Sequence, residues 1–295
     1  MSLEKHILDG DNYISLSERE LKKSHWGINR IDRNKAIIII IKAGDSYLLG
    51  ENYIKSTDSY YKAICLILKF SKIKLNNEMC ESVLSYIKIC NKNKTIIDNN
   101  CFECVKKKII IYLEKEKKYK IIIQIYEEIA YNYEIHENTE KAIKYYEVLL
   151  NYVKIEKINN NIIYINIIYI AQKLAGLYII INNKMAAFEK YKECAQICLT
   201  NMFSNNCRIY LLYSLIVILE LLTEEQFRDK LIEYKKLDPT FMNCPEYNLI
   251  RGLFIAKKIK NTQFINNVII NNKLVFDIYI IEILTNLKNN LDLHK

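Results

Sequence analysis

The chain has 295 residues, 51% of them hydrophobic, and carries a formal net charge of +9. Only six glycines and two prolines, Pro239 and Pro245, punctuate it, too few breakers for a strand-and-turn architecture. The charge suits an acidic partner, whether an anionic membrane surface, an acidic protein or nucleic acid, without choosing among them. The start, MSLEKHILDGDNY, lacks the apolar stretch of a signal peptide, and the nine cysteines are odd in number and scattered. The expected compartment is therefore the reducing cytoplasm. The longest uncharged, mainly apolar stretches, Ile158 to Gln172 and Ile209 to Leu219, fall short of the roughly 20 residues that span a bilayer. Any membrane contact is expected to be peripheral.

In chain order, SLSERELKK (Ser15 to Lys23) reads as a short charged helix, with Ser15 or Ser17 as N-cap and Glu18 and Glu20 in its first turn. A break, SHWGINR, follows and holds Trp26, the only tryptophan. Helical patterning runs from Arg33 to Leu49, reverses near Gly50 to Asn52 and continues from Ser56 to Ser71; so short a turn makes the two helices antiparallel neighbours. Apolar residues keep helical spacing over Asn77 to Lys92 and Asp98 to Glu116, a degraded repeat. Lys118 to Tyr133 and Thr139 to Tyr152 form the clearest hairpin, with Asn138 or Thr139 as N-cap before EKAIKYYE. After an Asn-rich loop at Asn159 to Asn161 come Ile162 to Ile181 and Met185 to Thr200. Beyond Asn201 the pattern changes. Ser204 to Leu222 is strongly apolar, Thr223 caps a helix that Asp238-Pro239 ends, and Pro239 to Lys260 and Leu274 to Leu287 complete the chain, leaving NNLDLHK as a free tail.

Three of these stretches share one spacing. Gly44, Tyr47, Ser56 and Tyr60 stand at the same offsets as Ala130, Tyr133, Ala142 and Tyr146, and as Ala175, Tyr178, Ala187 and Tyr191. A small residue with an aromatic three later, then a second small and aromatic pair after a turn, lets two antiparallel helices notch together with backbones close. The 45 residues from Ala130 to Ala175 exceed the roughly 34 of a tetratricopeptide unit, so the helices are longer than in that repeat. The expected fold is all-α: a right-handed α-solenoid of tetratricopeptide-like helical hairpins over 1–201, closed by a C-terminal helical bundle cap over 202–295. Such a stack offers long ridged faces and no pre-built reaction centre, which favours binding another protein over chemistry.

Reactive groupings are correspondingly thin. Cys101 and Cys104 make a single CxxC, but zinc needs four ligands. Cys194 and Cys198, one helical turn apart, read as small buried apolar residues. His6, His25, His136 and His294 are dispersed, and neither a Walker-type loop nor GxGxxG occurs. No catalytic residue, metal or cofactor is expected, and the chain is not expected to be an enzyme. Abundant tyrosine and basic residues could describe stacking platforms for nucleic acid. Many of the tyrosines fall at helix-packing positions, so no nucleic-acid partner is expected, and a generic helical-repeat scaffold is the stronger alternative. Lys106, Lys107, Lys108, Lys115, Lys117, Lys118 and Lys120 face only Glu114 and Glu116. They form either a solvated face or an edge that meets an acidic partner.

The segment IIIYLEKEKKYKIIIQIYEEIAYNYEIHENTEKAIKYYEVLLNYVK (Ile109 to Lys154) resembles the central hairpins of the soluble NSF-attachment proteins, and KLAGLYIIINNKMAAFEKYKECA (Lys173 to Ala195) is similar to their next hairpin. The resemblance implies an adaptor that lies along the acidic surface of the SNARE four-helix complex. It would recruit the hexameric NSF-type AAA ATPase through its C-terminal end and itself hydrolyse nothing. It places Lys94, Lys117, Lys118, Lys120 and Lys173 at or beside the family's basic contact positions, while uncharged Ile123 and Tyr169 stand at others. It also places the family's membrane-dipping loop at His25-Trp26-Gly27-Ile28, where Trp26 and Ile28 suit a bilayer interface. Asp292-Leu293 resembles the acid-leucine pair that contacts the ATPase in family members. The implied location is cytoplasmic, with peripheral attachment to membranes.

Overall fold

The structure is a computed structural model, and it describes residues 2–25, 30–70, 75–92, 99–156, 163–201 and 204–293. Among these the chain forms fourteen α-helices and no strand, the all-α hairpin architecture that the small and aromatic spacing predicts. The helices divide between two compact units, Met1–Glu137 and Asn138–Lys295. The first holds α1 (Leu3–His25), α2 (Arg30–Leu49), α3 (Tyr53–Lys69), α4 (Asn77–Lys92), α5 (Asn99–Lys115) and α6 (Tyr119–Ile135). In it α1 packs on α2, α2 on α3 and α4, α3 on α4 and α5, and α6 on α4 and α5. The second holds α7 (Thr139–Glu156), α8 (Ile163–Ile180), α9 (Lys184–Thr200), α10 (Ser204–Ile218), α11 (Glu224–Leu237), α12 (Pro245–Lys258), α13 (Thr262–Asn272) and α14 (Ile278–Leu293). Here α7 to α10 pack in succession, and α10 is also the floor on which α12 and α14 rest.

The small residues are where backbones approach. A Cβ built on Gly44 would lie 2.7 Å from the Tyr60 ring, and the Ser56 hydroxyl donates to the Gly44 carbonyl at 2.9 Å. Only glycine lets α3 lay that ring against α2. At the corresponding places Ala175, Ala187 and Tyr191 are fully buried in the second unit; taken separately, Ala130 is buried in the first unit and Ala142 and Tyr146 are buried in the second. In two of the repeats the intervening tyrosine reaches back to an acid on the preceding helix. Tyr47 donates to Asp11 of α1 at 2.7 Å, and Tyr178 donates to Glu147 of α7 at 2.5 Å.

The same notch explains a departure from the sequence reading in α1. The helix begins at Leu3, well before Ser15. Gly10, a poor helix former, sits under the Tyr47 ring, 2.6 Å from where its Cβ would be; tertiary packing overrides propensity. Ser15 and Ser17 are therefore not caps. Their hydroxyls donate back to the carbonyls of Asp11 and Ile14 at 3.1 and 2.7 Å, as serines do inside a helix.

Five turns between successive helices are built alike. Glu51, Lys117, Glu137, Asn182 and Lys260 all adopt left-handed φ values of 54° to 58°. At four of them the residue's own amide and the next close onto the end of the preceding helix, as in Glu51 to Leu48 (3.0 Å) and Asn52 to Tyr47 (2.9 Å), which is the Schellman arrangement. After Glu51, Glu137, Asn182 and Lys260 the following residue is an asparagine that caps the next helix. Asn52, Asn138, Asn183 and Asn261 accept from the amides of Lys55, Lys141, Ala186 and Phe264 at 3.0 to 3.3 Å, which settles Asn138 over Thr139 as cap. At the α5–α6 turn Lys118 takes this place and provides no side-chain cap.

The C-terminal helices differ most from expectation. α12 starts at Pro245, after a single 3-10 turn at Phe241–Asn243, and α13 lies where no helix was expected. α14 runs on to Leu293, so NNLDL is the end of a helix and not a free tail. The end of α10 is held from outside: the Lys257 ammonium donates to the carbonyls of Leu219, Glu220 and Leu222 at 2.8, 3.1 and 3.0 Å.

Two substitutions test this account by chemical denaturation. Lys257→Met should lower stability by about 2–3 kcal/mol, because three carbonyls lose a charged donor. Glu51→Gly should raise it by about 0.5–1 kcal/mol, since relief of the left-handed backbone outweighs the entropy that glycine adds to the unfolded chain.

Candidate functional site

The α5–α6 turn turns a helix boundary into a cluster of charge. The Lys117 amide closes on Glu114 O at 3.0 Å and the Lys118 amide on Leu113 O at 2.9 Å, and this reversal carries Lys115, Lys117 and Lys120 into solvent with Lys118 half-buried. Glu114 and Glu116 are the acids of the same turn, so a local positive excess remains. Lys106 does not belong to this face. It is buried on α5 against Glu103 at 2.6 Å.

Lys173 lies in the other unit, half-buried on α8, with its ammonium 5.8 Å from the ring centroids of both Tyr146 and Tyr169. That is within cation–π range. Tyr169, 53% exposed, and Ile165, 63% exposed, precede it at intervals of four, so an apolar stripe on α8 ends in a cation. Lys94, Trp26 and Ile28 fall outside the described residues. The structure thus brings Lys117, Lys118 and Lys120 together on one turn and describes Lys173 separately in its own unit.

The C-terminal pair sits at the last turn of α14. Leu284 and Leu287 are core residues of that helix, and Leu291 packs against the same core. Leu293 follows Leu291 by two positions, about 200° round the helix, and is 82% exposed. Asn290 donates to Glu220 at 3.2 Å, tying this turn to the end of α10.

What fixes α14 is a group of residues that the sequence reading did not single out. The Asp277 carboxylate accepts from Gln172 of α8 at 2.8 Å and from the Tyr191 hydroxyl of α9 at 3.4 Å, and caps the Tyr279 amide at 3.1 Å. The Tyr210 hydroxyl donates to Gln172 Oε1 at 3.0 Å. Burial first, and then the charge of Asp277, hold the Tyr191 phenol well above its ordinary range, so it stays a donor. Gly176 admits the Tyr279 ring, which would touch a Cβ there at 2.2 Å. The one signal in the sequence was an Asp in front of an apolar run, the ordinary mark of a helix start.

The buried cysteines read as packing residues. Cys194, Cys198 and Cys207 are buried, and burial pushes the Cys198 and Cys207 thiols up to about 11 and about 12, away from the thiolate that would react. Cys104 is exposed, and the Cys101 side chain is outside the described residues. Among the described residues no group of three or more His, Cys, Asp or Glu could hold a metal, and no helix is long and apolar enough to cross a membrane.

Asp277→Ala should leave Gln172 without its acceptor and lower stability by about 2–3 kcal/mol. Hydrogen exchange should then quicken at the amides of Ile283 and Leu284 before those of α7.

The chain matches the model of a known family. The family model described as soluble NSF attachment protein, SNAP, covers residues 9–292, nearly the whole chain and both compact units. No curated protein matches the sequence.

Proposed function

The chain belongs to the soluble NSF attachment protein family, and from that premise we propose that it is an adaptor in SNARE disassembly. In this reading it binds the SNARE four-helix complex, recruits and stimulates the hexameric NSF-type ATPase, and carries out no hydrolysis itself. The observation that carries the reading is the extent of the family match, residues 9–292, which takes in the basic turn and the end of α14 alike. Fold alone would not assign a function, because helical hairpins serve many partners.

Two surfaces support the division of labour. The exposed lysines at 115, 117 and 120 and half-buried Lys118 offer positive charge to the acidic surface of a SNARE bundle, where complementarity governs encounter rate and register. We assign Lys173 and Lys94 to the same task, and the ATPase contact to Asp292 and Leu293. Leu293 suits it: a leucine 82% exposed at a helix end, beyond a turn pinned to the core, is an anchor already in position, so little ordering entropy is lost on binding. We place peripheral membrane contact at Trp26 and Ile28, and the part of the chain from 202 onward at the ATPase end.

Co-sedimentation decides the matter. The chain should pellet with an assembled SNARE complex and, once bound, retain the ATPase; failure of both with the cognate partners would falsify the adaptor reading. Lys117→Glu with Lys118→Glu should weaken SNARE binding about tenfold at low salt and less at high salt, and unchanged binding at low salt removes this turn from the interface. Leu293→Ala should keep SNARE binding while lowering stimulated ATP hydrolysis; full stimulation by that variant would clear the residue of the role.

A further inference from the structure

The first unit also holds a cleft whose lining includes none of the lysines of the α5–α6 turn. α1 and α3 both pack on α2, and near one end they are tied together, because Lys55 of α3 pairs with Asp11 of α1 at 2.8 Å while Tyr47 donates to the same carboxylate. Past that tie a cleft of 360 Å³ opens between them. Ile14 and Leu21 form one wall, Tyr61 and Leu66 the other, and Ile40 of α2 the floor. From Ile14 to Leu21 the wall is about 11 Å long at the helical rise.

The lining decides what fits. Ser17 lines the cleft, and its hydroxyl is already spent on the Ile14 carbonyl at 2.7 Å, so an apolar occupant strands no donor at that residue. At the rim stand Lys62 and Lys69, exposed on α3, opposite Glu18 on α1. Among the described residues no carboxylate pairs with either lysine, so cations exceed acids at the mouth. The volume lies within the range of small-molecule pockets, about 300–1,000 Å³, and the tied end leaves no trough for a helix about 10 Å across. An extended chain with one negative end matches the length, the lining and the rim together.

We propose that the α1–α3 cleft binds a medium-chain fatty acid, its alkyl chain lying between Ile14, Leu21 and Leu66 over Ile40 and its carboxylate held at the Lys62–Lys69 rim.

Cys65 supplies the readout. It is exposed in the cleft wall between the two lysines, and Cys104 on α5 is exposed outside it. Maleimide labelling of the full chain, followed by mass spectrometry of the two cysteine peptides, is measured with octanoate, decanoate or decyltrimethylammonium below micellisation. Decanoate should slow labelling of Cys65 at least about fivefold and leave Cys104 unchanged. Octanoate should need about tenfold more for the same protection, since two methylenes fewer are buried. Lys62→Glu with Lys69→Glu should abolish the preference for the carboxylate. Should that variant misfold, the comparison of carboxylate with ammonium on the unaltered chain decides alone. No protection of Cys65, equal protection by the ammonium, parallel slowing at Cys104, or protection by an acidic amphipathic peptide where decanoate gives none, would each overturn the proposal.

Discussion

Every position of interest in this protein depends on how closely its antiparallel helices can approach. That distance is set where a glycine or alanine lies beneath a tyrosine ring. Tyr47 on Gly10, Tyr60 on Gly44 and Tyr279 on Gly176 would each meet a Cβ at under 3 Å, a separation that real side chains do not tolerate. Each contact fixes both the spacing and the axial register of a helix pair, because the ring fits at only one level of the groove. The tyrosine hydroxyls at the packing positions then reach acids on neighbouring helices, as Tyr47 does with Asp11 and Tyr178 with Glu147. Apolar burial supplies the energy for this packing, while the small-residue notches choose which arrangement receives it.

The turns translate that register into the placement of surface charge. Four of the five left-handed turns place an asparagine cap at the head of the following helix. At the fifth, Lys118 stands in the cap's place with no side-chain cap bond, which gives up about 1 kcal/mol and adds a cation to a turn that already presents Lys115, Lys117 and Lys120. The end of α14 is governed in the same way from a distance. Asp277 and Gln172 lock the start of the helix, its apolar stripe holds the middle, and Leu293 is left pointing away from the core.

The hairpins were legible in the sequence because their signal is periodic and local. Apolar spacing located α4 and α9 almost to the residue, and Thr223 capped α11 as expected, with Gln226 completing a capping box. The misses have physical causes. The pattern starts α1 late because Gly10, Asp11 and Asn12 disfavour a helix in isolation, whereas Tyr47, 36 residues from the Asp11 to which it donates, needs the gap that Gly10 leaves. α13 was overlooked because its asparagines look like a loop, although Asn261 is its cap. The pairing of Gln172 with Asp277 spans 105 residues and leaves no trace in local spacing. The lysines on the α5–α6 turn could be read as a cluster; that Lys106 turns inward to Glu103 could not.

The account we propose joins these parts: notched hairpins give rigid faces, one basic turn meets an acidic helical bundle, and the pinned end of α14 meets the ATPase. The measurement that tests it most directly is ATP-dependent disassembly of a preformed SNARE complex, followed by loss of fluorescence transfer between labelled SNARE helices. With the cognate ATPase and ATP present, addition of this chain should convert a stable signal into rapid decay. A complex that stays intact with the chain present, or that comes apart equally fast without it, would contradict the adaptor account.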